Sequence, residues 1–382
     1  IKKEGDFLKK VKLGIIGCGW IAQYAYVPVL REIKNAIVLS VFDIDSSRAQ
    51  QVCRVFSSAK AYEDMNSFFK SGVEAVIIAT PNFSHVEYTL NALEKGISVL
   101  CEKPIAFLEK EIWEIGNMAK RHNALYVPGM VNRWRKDVQQ MQSLLRSNKI
   151  GKVTDVSAGW IRKQGVPRPG TWFTNKELSG GGVLVDLGSH MLDICTMIME
   201  GREPEYYQLI SAPLTSEAIK DVGAARWFKR NDPEELELNV ESTAIVQITY
   251  IDGAKLRCNL SWLSSIENDC TYFKICGDKG EIELKTLFGF STERYWNEDT
   301  LTVKVDGITE TYHYDKKENG SMSAFKEMIS NFTNLVQGRL TETGGILEAC
   351  RLVSCIEQLY MSDIVDAVKA TELLTAEIHS MR

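Results

Sequence analysis

Lys12-Leu13-Gly14-Ile15-Ile16-Gly17-Cys18-Gly19-Trp20-Ile21-Ala22 is the stretch whose reading decides the fold. A short apolar run meets two glycines one residue apart, and a segment of helical character follows as far as Arg31. That is the order strand, glycine turn, helix. In such a βαβ unit the first glycine makes the tight turn and the second admits a pyrophosphate to the backbone. The third position needs only a small residue for helix packing, here Ala22. The phosphates would sit on the free amides at the helix start.

A glycine pattern alone is weak evidence, and the residues after it supply the context. Residues 37–42 read as a second strand that ends in Asp43, 21 residues after Ala22. An acid there accepts the adenosine ribose hydroxyls and repels a 2′-phosphate, which favours NAD. Arg48 leaves NADP open, and Asp43 is also compatible with a plain turn residue. Alternation of helix and strand continues through a buried strand at 73–79, as a doubly wound parallel sheet requires. That strand delivers Thr80-Pro81-Asn82-Phe83-Ser84-His85 to the carboxyl edge of the sheet, where ligands bind. Thr80, Asn82 and His85 are candidates to line a cofactor site, although His85 equally suits a helix start. The strand at 97–101 brings Glu102-Lys103-Pro104 to the same edge. A lysine beside a cationic nicotinamide is suited to hydrogen-bond a substrate oxygen; the same Lys-Pro is also compatible with a surface turn.

From about Pro128 the pattern changes to strands with few intervening helices, at 153–161, 242–250, 254–262, 272–276 and 281–284. Asp252-Gly253 and Asp278-Lys279-Gly280 are hairpin signals. A largely antiparallel sheet with helices on one face is expected, and the closing helices, 322–336 and 346–361, are expected to pack on it. The division expected is a dinucleotide-binding domain over 1–128 and a substrate-binding and oligomerisation domain over 129–382.

Chemistry in the second domain concentrates at Gly180-Gly181-Gly182-Val183-Leu184-Val185-Asp186-Leu187-Gly188-Ser189-His190-Met191-Leu192-Asp193. Asp186, His190 and Asp193 fall on one face of a helix, and Leu184, Leu187, Met191, Ile194 and Ile198 form its apolar stripe. Three glycines before it leave room for a ligand at the helix entrance. The segment is also compatible with a satisfied core histidine. A metal site on one helix face is a further alternative, but no second histidine cluster completes it, so no metal is expected.

The 382 residues are 45% hydrophobic, enough for two cores, and carry a net charge of −5 without a lysine or arginine run. Nucleic acid is an improbable partner for such a surface, and a small molecule fits better. The nine cysteines are scattered without a C-x-x-C pair, as expected of core residues in a reducing cytoplasm. Apolar stretches are too short to span a bilayer, so no membrane partner is expected, and the polar amino terminus lacks a signal-peptide core.

Gly17-Cys18-Gly19, Thr80-Pro81-Asn82-x-x-His85, Glu102-Lys103-Pro104 and Gly180-Gly181-Gly182-x3-Asp186-x3-His190-x2-Asp193 stand in the order seen in the Gfo/Idh/MocA oxidoreductases, which the chain resembles over nearly its whole length. The resemblance implies an α/β fold, an N-terminal Rossmann domain followed by an α/β domain with a large, mostly antiparallel open-faced sheet. That face commonly forms a homodimer or homotetramer. Gly17, Gly19, Trp20, Ile21, Asp43, Thr80, Asn82, His85, Glu102 and Lys103 then hold NAD, with NADP the alternative. Lys103, Asp186 and His190 resemble the catalytic set. His190 takes the hydroxyl proton as hydride leaves the same carbon, Asp186 binds a neighbouring hydroxyl, and Lys103 steadies the alkoxide. Asn132, Arg162 and Trp172, placed by approximate position, line the substrate side. The implied substrate is a sugar, sugar derivative or cyclitol oxidised at a secondary hydroxyl. A glycosidase using retained NAD for elimination, and a non-catalytic sugar sensor, are the alternatives.

Overall fold

The computed structural model of the chain describes residues 10–222, 238–340 and 345–381; the polar amino terminus discussed above lies outside them. Two compact units emerge, Ile1–Met130 with Met322–Cys350, and Val131–Ser321 with Arg351–Arg382.

In the first unit β1 (Val11–Ile16), β2 (Ala36–Phe42), β3 (Lys60–Tyr62), β4 (Ala75–Ile78), β5 (Ser98–Glu102) and β6 (Tyr126–Gly129) form one parallel sheet in the order β3-β2-β1-β4-β5-β6. Leu13, Ile15, Ile16, Val76, Ile77, Ile78, Val99 and Leu100 are wholly buried, as central strands covered on both faces must be. Strand order reverses between β1 and β4, and the crevice outside the carboxyl ends of the strands at such a switch point is where ligands bind. The glycine turn follows β1, Asp43 follows β2, Thr80 lies two residues beyond β4, and Lys103 follows β5.

One assignment differs from the expectation. The helix Ser321–Val336 groups with the first unit and not with the antiparallel sheet. Phe325 meets the Tyr26 ring edge-on at 5.2 Å, and Asn35 Nδ2 donates to Asn334 Oδ1 at 3.1 Å. Lys326 pairs with Glu32. Periodicity revealed an apolar face, now buried at Ala324, Phe325, Met328, Ile329 and Phe332, but periodicity does not say which core that face meets.

The second unit is built on β7 (Val153–Ile161), β8 (Pro204–Pro213), β9 (Glu241–Tyr250), β10 (Lys255–Ser261), β11 (Cys270–Gly277), β12 (Gly280–Thr286), β13 (Asp299–Val305), β14 (Ile308–Tyr314) and β15 (Asp363–Val365). Their order is β14-β13-β12-β11-β7-β10-β9-β8-β15, antiparallel except for the β7–β10 and β8–β15 pairs. Helices Val183–Asp186 and Gly188–Ile198 pack on one face. On the other face the helix Ala367–Ser380 sets Ala370, Leu374 and Ile378 against Ile161, Ile210, Ile245 and Tyr272.

The rest of that second face is not the apolar surface expected of an oligomer interface. Strand register aligns Gln208, Gln247, Arg257, Ser157, Lys274, Glu283, Thr302 and Thr311 in one row across eight strands. The strands alternate apolar inward and polar outward, so the surface beyond the helix is solvated and ion-paired, as in Lys285 with Glu283 and Lys304 with Glu281. Among the described residues no single helix is long and apolar enough to cross a membrane.

Candidate active site

At the cofactor edge of the first unit, Gly17 has φ +92° and a Cβ there would lie 2.6 Å from the Ala79 carbonyl oxygen, so the turn excludes any side chain. Gly19 is different: a Cβ on it meets nothing within 4 Å. The second glycine faces open space, which is the cradle a pyrophosphate needs, and Ala22 behind it is wholly buried. Trp20 stacks on Tyr24 at 5.2 Å, next to Ile21 in the first turn of the helical run.

Asp43 is held from both sides. Its Oδ2 accepts from the Cys18 amide at 2.6 Å and its Oδ1 from the Asp45 amide at 2.8 Å. A carboxylate offers about four lone-pair sites, so this anchoring leaves capacity for two ribose hydroxyls. Arg48 pairs instead with Asp45, at 3.2 Å on the surface.

Two other sequence candidates turn out to face inward. His85 is buried, with Nδ1 2.8 Å from the Pro104 carbonyl oxygen and Nε2 2.8 Å from that of Thr80. Burial holds its pKa below the ordinary imidazole value against the pull of those two carbonyls, and a neutral ring donates to one of them. His85 thereby ties the end of β4 to the turn after β5. Glu102 is also buried; its Oε1 accepts from the Tyr26 hydroxyl at 2.7 Å and its Oε2 from the Lys103 amide at 3.1 Å. Burial pushes its pKa up, with the Tyr26 hydroxyl and Lys103 opposing. Both residues steady the segment that carries Lys103. Thr80 accepts from Ser84 Oγ at 2.8 Å, and Asn82 opens the short helical turn Asn82–Ser84.

In the second unit the helical run starting at Val183 carries Asp186 half-buried, and His190 and Asp193 buried. The three preceding glycines do not open the entrance to a ligand. A Cβ on Gly182 would run into the Glu241 carbonyl, and one on Gly181 into the Tyr360 hydroxyl. The room they leave is filled by the chain itself: the Glu241 carboxylate accepts from the amides of Gly182 at 3.0 Å and Leu184 at 2.9 Å, and from Tyr360 Oη at 3.0 Å. Burial raises the Glu241 pKa while these donors lower it. A buried acid thus caps the helical run that bears Asp186 and His190.

Each of the three polar residues has a distinct environment. Asp186 Oδ2 accepts from the indole Nε1 of Trp262 at 2.9 Å. The His190 ring lies 5.8 Å from the Trp160 ring at a 43° tilt. Asp193 does not flank His190 as an orienting carboxylate, because its oxygens are gripped by Arg133, from Nε at 2.6 Å and from Nη2. This buried fork fastens the short turn Val131–Trp134 to the helix Gly188–Ile198. Asn132 on that turn is 3% exposed, and its Oδ1 finds no hydrogen-bond partner among the described residues. Of the other substrate-side candidates, Arg162 donates to the Gly165 carbonyl and lies 3.5 Å from Asp269, whereas Trp172 stacks on Phe173 at 3.7 Å. Arg133, Trp160, Glu241, Trp262 and Tyr360 were not found from sequence, since each acts across strands far away in the chain. The run of three glycines was the one signal that something large sits there.

A Rossmann sheet with open space beside the second glycine of its turn, followed by a unit with a mostly antiparallel sheet, is the fold of the nicotinamide-dependent oxidoreductases that the comparisons match. Residues 11–130 match the model described as the oxidoreductase family with NAD-binding Rossmann fold, and residues 138–283 the GFO/IDH/MocA C-terminal domain. The chain belongs to the Gfo/Idh/MocA family and is an NAD(P)-dependent dehydrogenase or reductase. It is similar to a protein of Amycolatopsis mediterranei assigned as a UDP-kanosamine synthase oxidoreductase subunit, 30% identical over 92% of this chain and 96% of that one. It is also similar to the D-glucoside 3-dehydrogenase of Escherichia coli, 26% identical over 92% of this chain and 95% of that one. Among solved structures, GenD2 from gentamicin A biosynthesis in complex with NAD shares the fold, with TM-score 0.75 and 18% identity over 95% of this chain and 96% of that one.

Proposed function

We propose that the protein moves a hydride between NAD and a secondary hydroxyl of a sugar, sugar derivative or cyclitol, and that C3 of a hexose is the carbon concerned. The observation that carries this reading is the placement of Asp186 and His190 four residues apart on two successive helices, the first capped by Glu241, with Trp262 donating to the aspartate. The names of two full-length relatives, one a glucoside 3-dehydrogenase, support the substrate class and the position. Bound NAD supplies the hydride acceptor.

His190 is the general base: a neutral imidazole takes the hydroxyl proton as the carbon–hydrogen bond breaks. Asp186 accepts a hydrogen bond from a neighbouring hydroxyl and so fixes which carbon presents its hydrogen. Lys103 steadies the developing alkoxide. Asn132, with a buried amide oxygen unpartnered among the described residues, suits a substrate hydroxyl, and Arg162 is given the same role; Trp172 offers a flat face to a pyranose. Gly17, Gly19, Trp20, Ile21, Asp43, Thr80 and Asn82 contact the cofactor, while His85 and Glu102 serve it indirectly through the Lys103 turn. The nine cysteines are unpaired thiols, which supports a cytoplasmic location, and we assign a homodimer or homotetramer as the working form.

The test is NADH formation across hexoses, hexose phosphates, nucleotide sugars and inositols, with 3-deoxy analogues of the active compounds. A sugar oxidised with net NADH, whose 3-deoxy analogue is inert, supports the proposal. Turnover without net NADH would move the reading to the NAD-retaining glycosidase, and an equally active 3-deoxy analogue would move the carbon.

A further inference from the structure

The Asp186 carboxylate is reached from outside its own helix by the indole of Trp262, whose Nε1 donates to Oδ2 at 2.9 Å. Trp262 is the residue immediately after β10, 1% exposed, and its backbone is locked: its amide donates to the Ser242 carbonyl at 3.0 Å. The neighbouring Ser261 Oγ donates to the Leu263 carbonyl at 2.6 Å and pairs with Thr243 Oγ1 at 3.1 Å. These bonds fix the backbone from which the indole projects, and near-complete burial holds the ring itself. Its Nε1–H is donor only, so it accepts no alternative in which Asp186 presents a proton toward it.

We propose that Trp262 is a positioning residue, whose indole N–H holds Asp186 Oδ2 and thereby sets the rotamer in which Asp186 meets substrate. The inference rests on the reading of Asp186 given above. A half-buried aspartate on a helix has several staggered rotamers open to it, and one charge-assisted bond from a rigid donor selects among them. Packing alone would ask only for a large ring at 262. Positioning asks for the N–H.

The test pairs Trp262→Phe, which keeps a ring and deletes the donor, with Asp186→Asn, with Asp186→Ala, and with the double variant built on Asp186→Ala. With the most active sugar of the substrate survey, Trp262→Phe is expected to lower kcat about tenfold, with the affinity for NADH unchanged. In the Asp186→Ala background, which removes the acceptor, the same change should alter kcat less than twofold, because a residue acting through Asp186 has nothing left to act on. A merely structural tryptophan would instead multiply the two losses. A readout without turnover uses the indole N–H resonances of 15N-tryptophan-labelled protein. The resonance missing from Trp262→Phe, or from Trp262→Tyr should the phenylalanine variant not fold, is expected to shift in Asp186→Asn. An unmoved resonance, or a folded Trp262→Phe enzyme with more than half the wild-type kcat while Asp186→Asn loses a hundredfold, overturns the proposal. If Asp186→Asn itself keeps full activity, the role given to Asp186 fails first and the positioning role falls with it.

Discussion

Replacing Asp43 with alanine separates what that carboxylate does for the turn from what it does for the cofactor. Two of its lone-pair sites already serve the amides of Cys18 and Asp45, at 2.6 and 2.8 Å. The ribose hydroxyls would use the others, and losing one charge-assisted bond costs about 1–3 kcal/mol, which is about 5- to 150-fold in Kd. Asp43→Asn should behave nearly as badly. Each carboxylate oxygen faces an N–H, so whichever way the amide is turned, its NH2 group meets a backbone donor. The carboxylate also repels a 2′-phosphate, and Arg48 is engaged with Asp45, so wild-type protein should favour NADH over NADPH and Asp43→Ala should narrow that ratio about tenfold. Fluorescence titration of both reduced cofactors against the wild type and the two variants measures all of this. A wild type that prefers NADPH tenfold, or an Asp43→Ala Kd for NADH within twofold of wild type, refutes the reasoning.

His190→Asn should cut single-turnover oxidation by about 10²- to 10⁴-fold with NADH affinity preserved; a variant retaining a tenth of the rate would move the base elsewhere, with Lys103 the first candidate. Gly19→Ala and Gly182→Ala should fail in opposite ways. The first, with open space around its Cβ, should leave the melting temperature unchanged and weaken NADH binding about tenfold or more; the second, driven into the Glu241 backbone, should lower stability by about 2–4 kcal/mol in denaturant titrations. Light scattering at micromolar concentration should give a dimer or tetramer, and if the row through Arg257, Lys274 and Glu283 forms the contact, the assembly should loosen with added salt; a monomer mass at low salt rejects the assignment.

Local signals in the sequence were read well because local physics produces them. The parallel sheet follows from apolar runs bounded by turns, and the strand at 153–161 coincides with β7 to the residue. Strands β8, β13 and β14 were not singled out: β14 is mostly exposed and β8 alternates loosely, whereas β13 alternates cleanly at Leu301, Val303 and Val305 and was legible. What sequence could not deliver was the destination of a side chain across the fold. Asp193 reads as a partner for His190 on a helical wheel, yet Arg133, 60 positions away, claims it. The same distance in sequence hides Glu241 from the glycines that exist to receive it.

The motif residues divide into two kinds, and the division bears on where specificity resides. Gly181, Gly182, His85, Glu102 and Asp193 face inward and use their capacity on holding the chain, so their recurrence in a pattern reports the aiming of a helix and of the Lys103 turn. Under the proposed function Gly19, Asp43, Asp186 and His190 are among the residues that meet cofactor and substrate. Four such positions suffice to choose a cofactor and remove one proton, but a sugar carries several near-equivalent hydroxyls, and distinguishing them requires further polar groups at fixed positions. In the second unit the stretch from Arg162 to Thr174 leaves β7 two residues after the tryptophan that touches His190, and it carries Arg162, Arg168, Thr171 and Trp172. It is the segment whose exchange should change which sugar is oxidised while leaving the cofactor choice at Asp43 untouched.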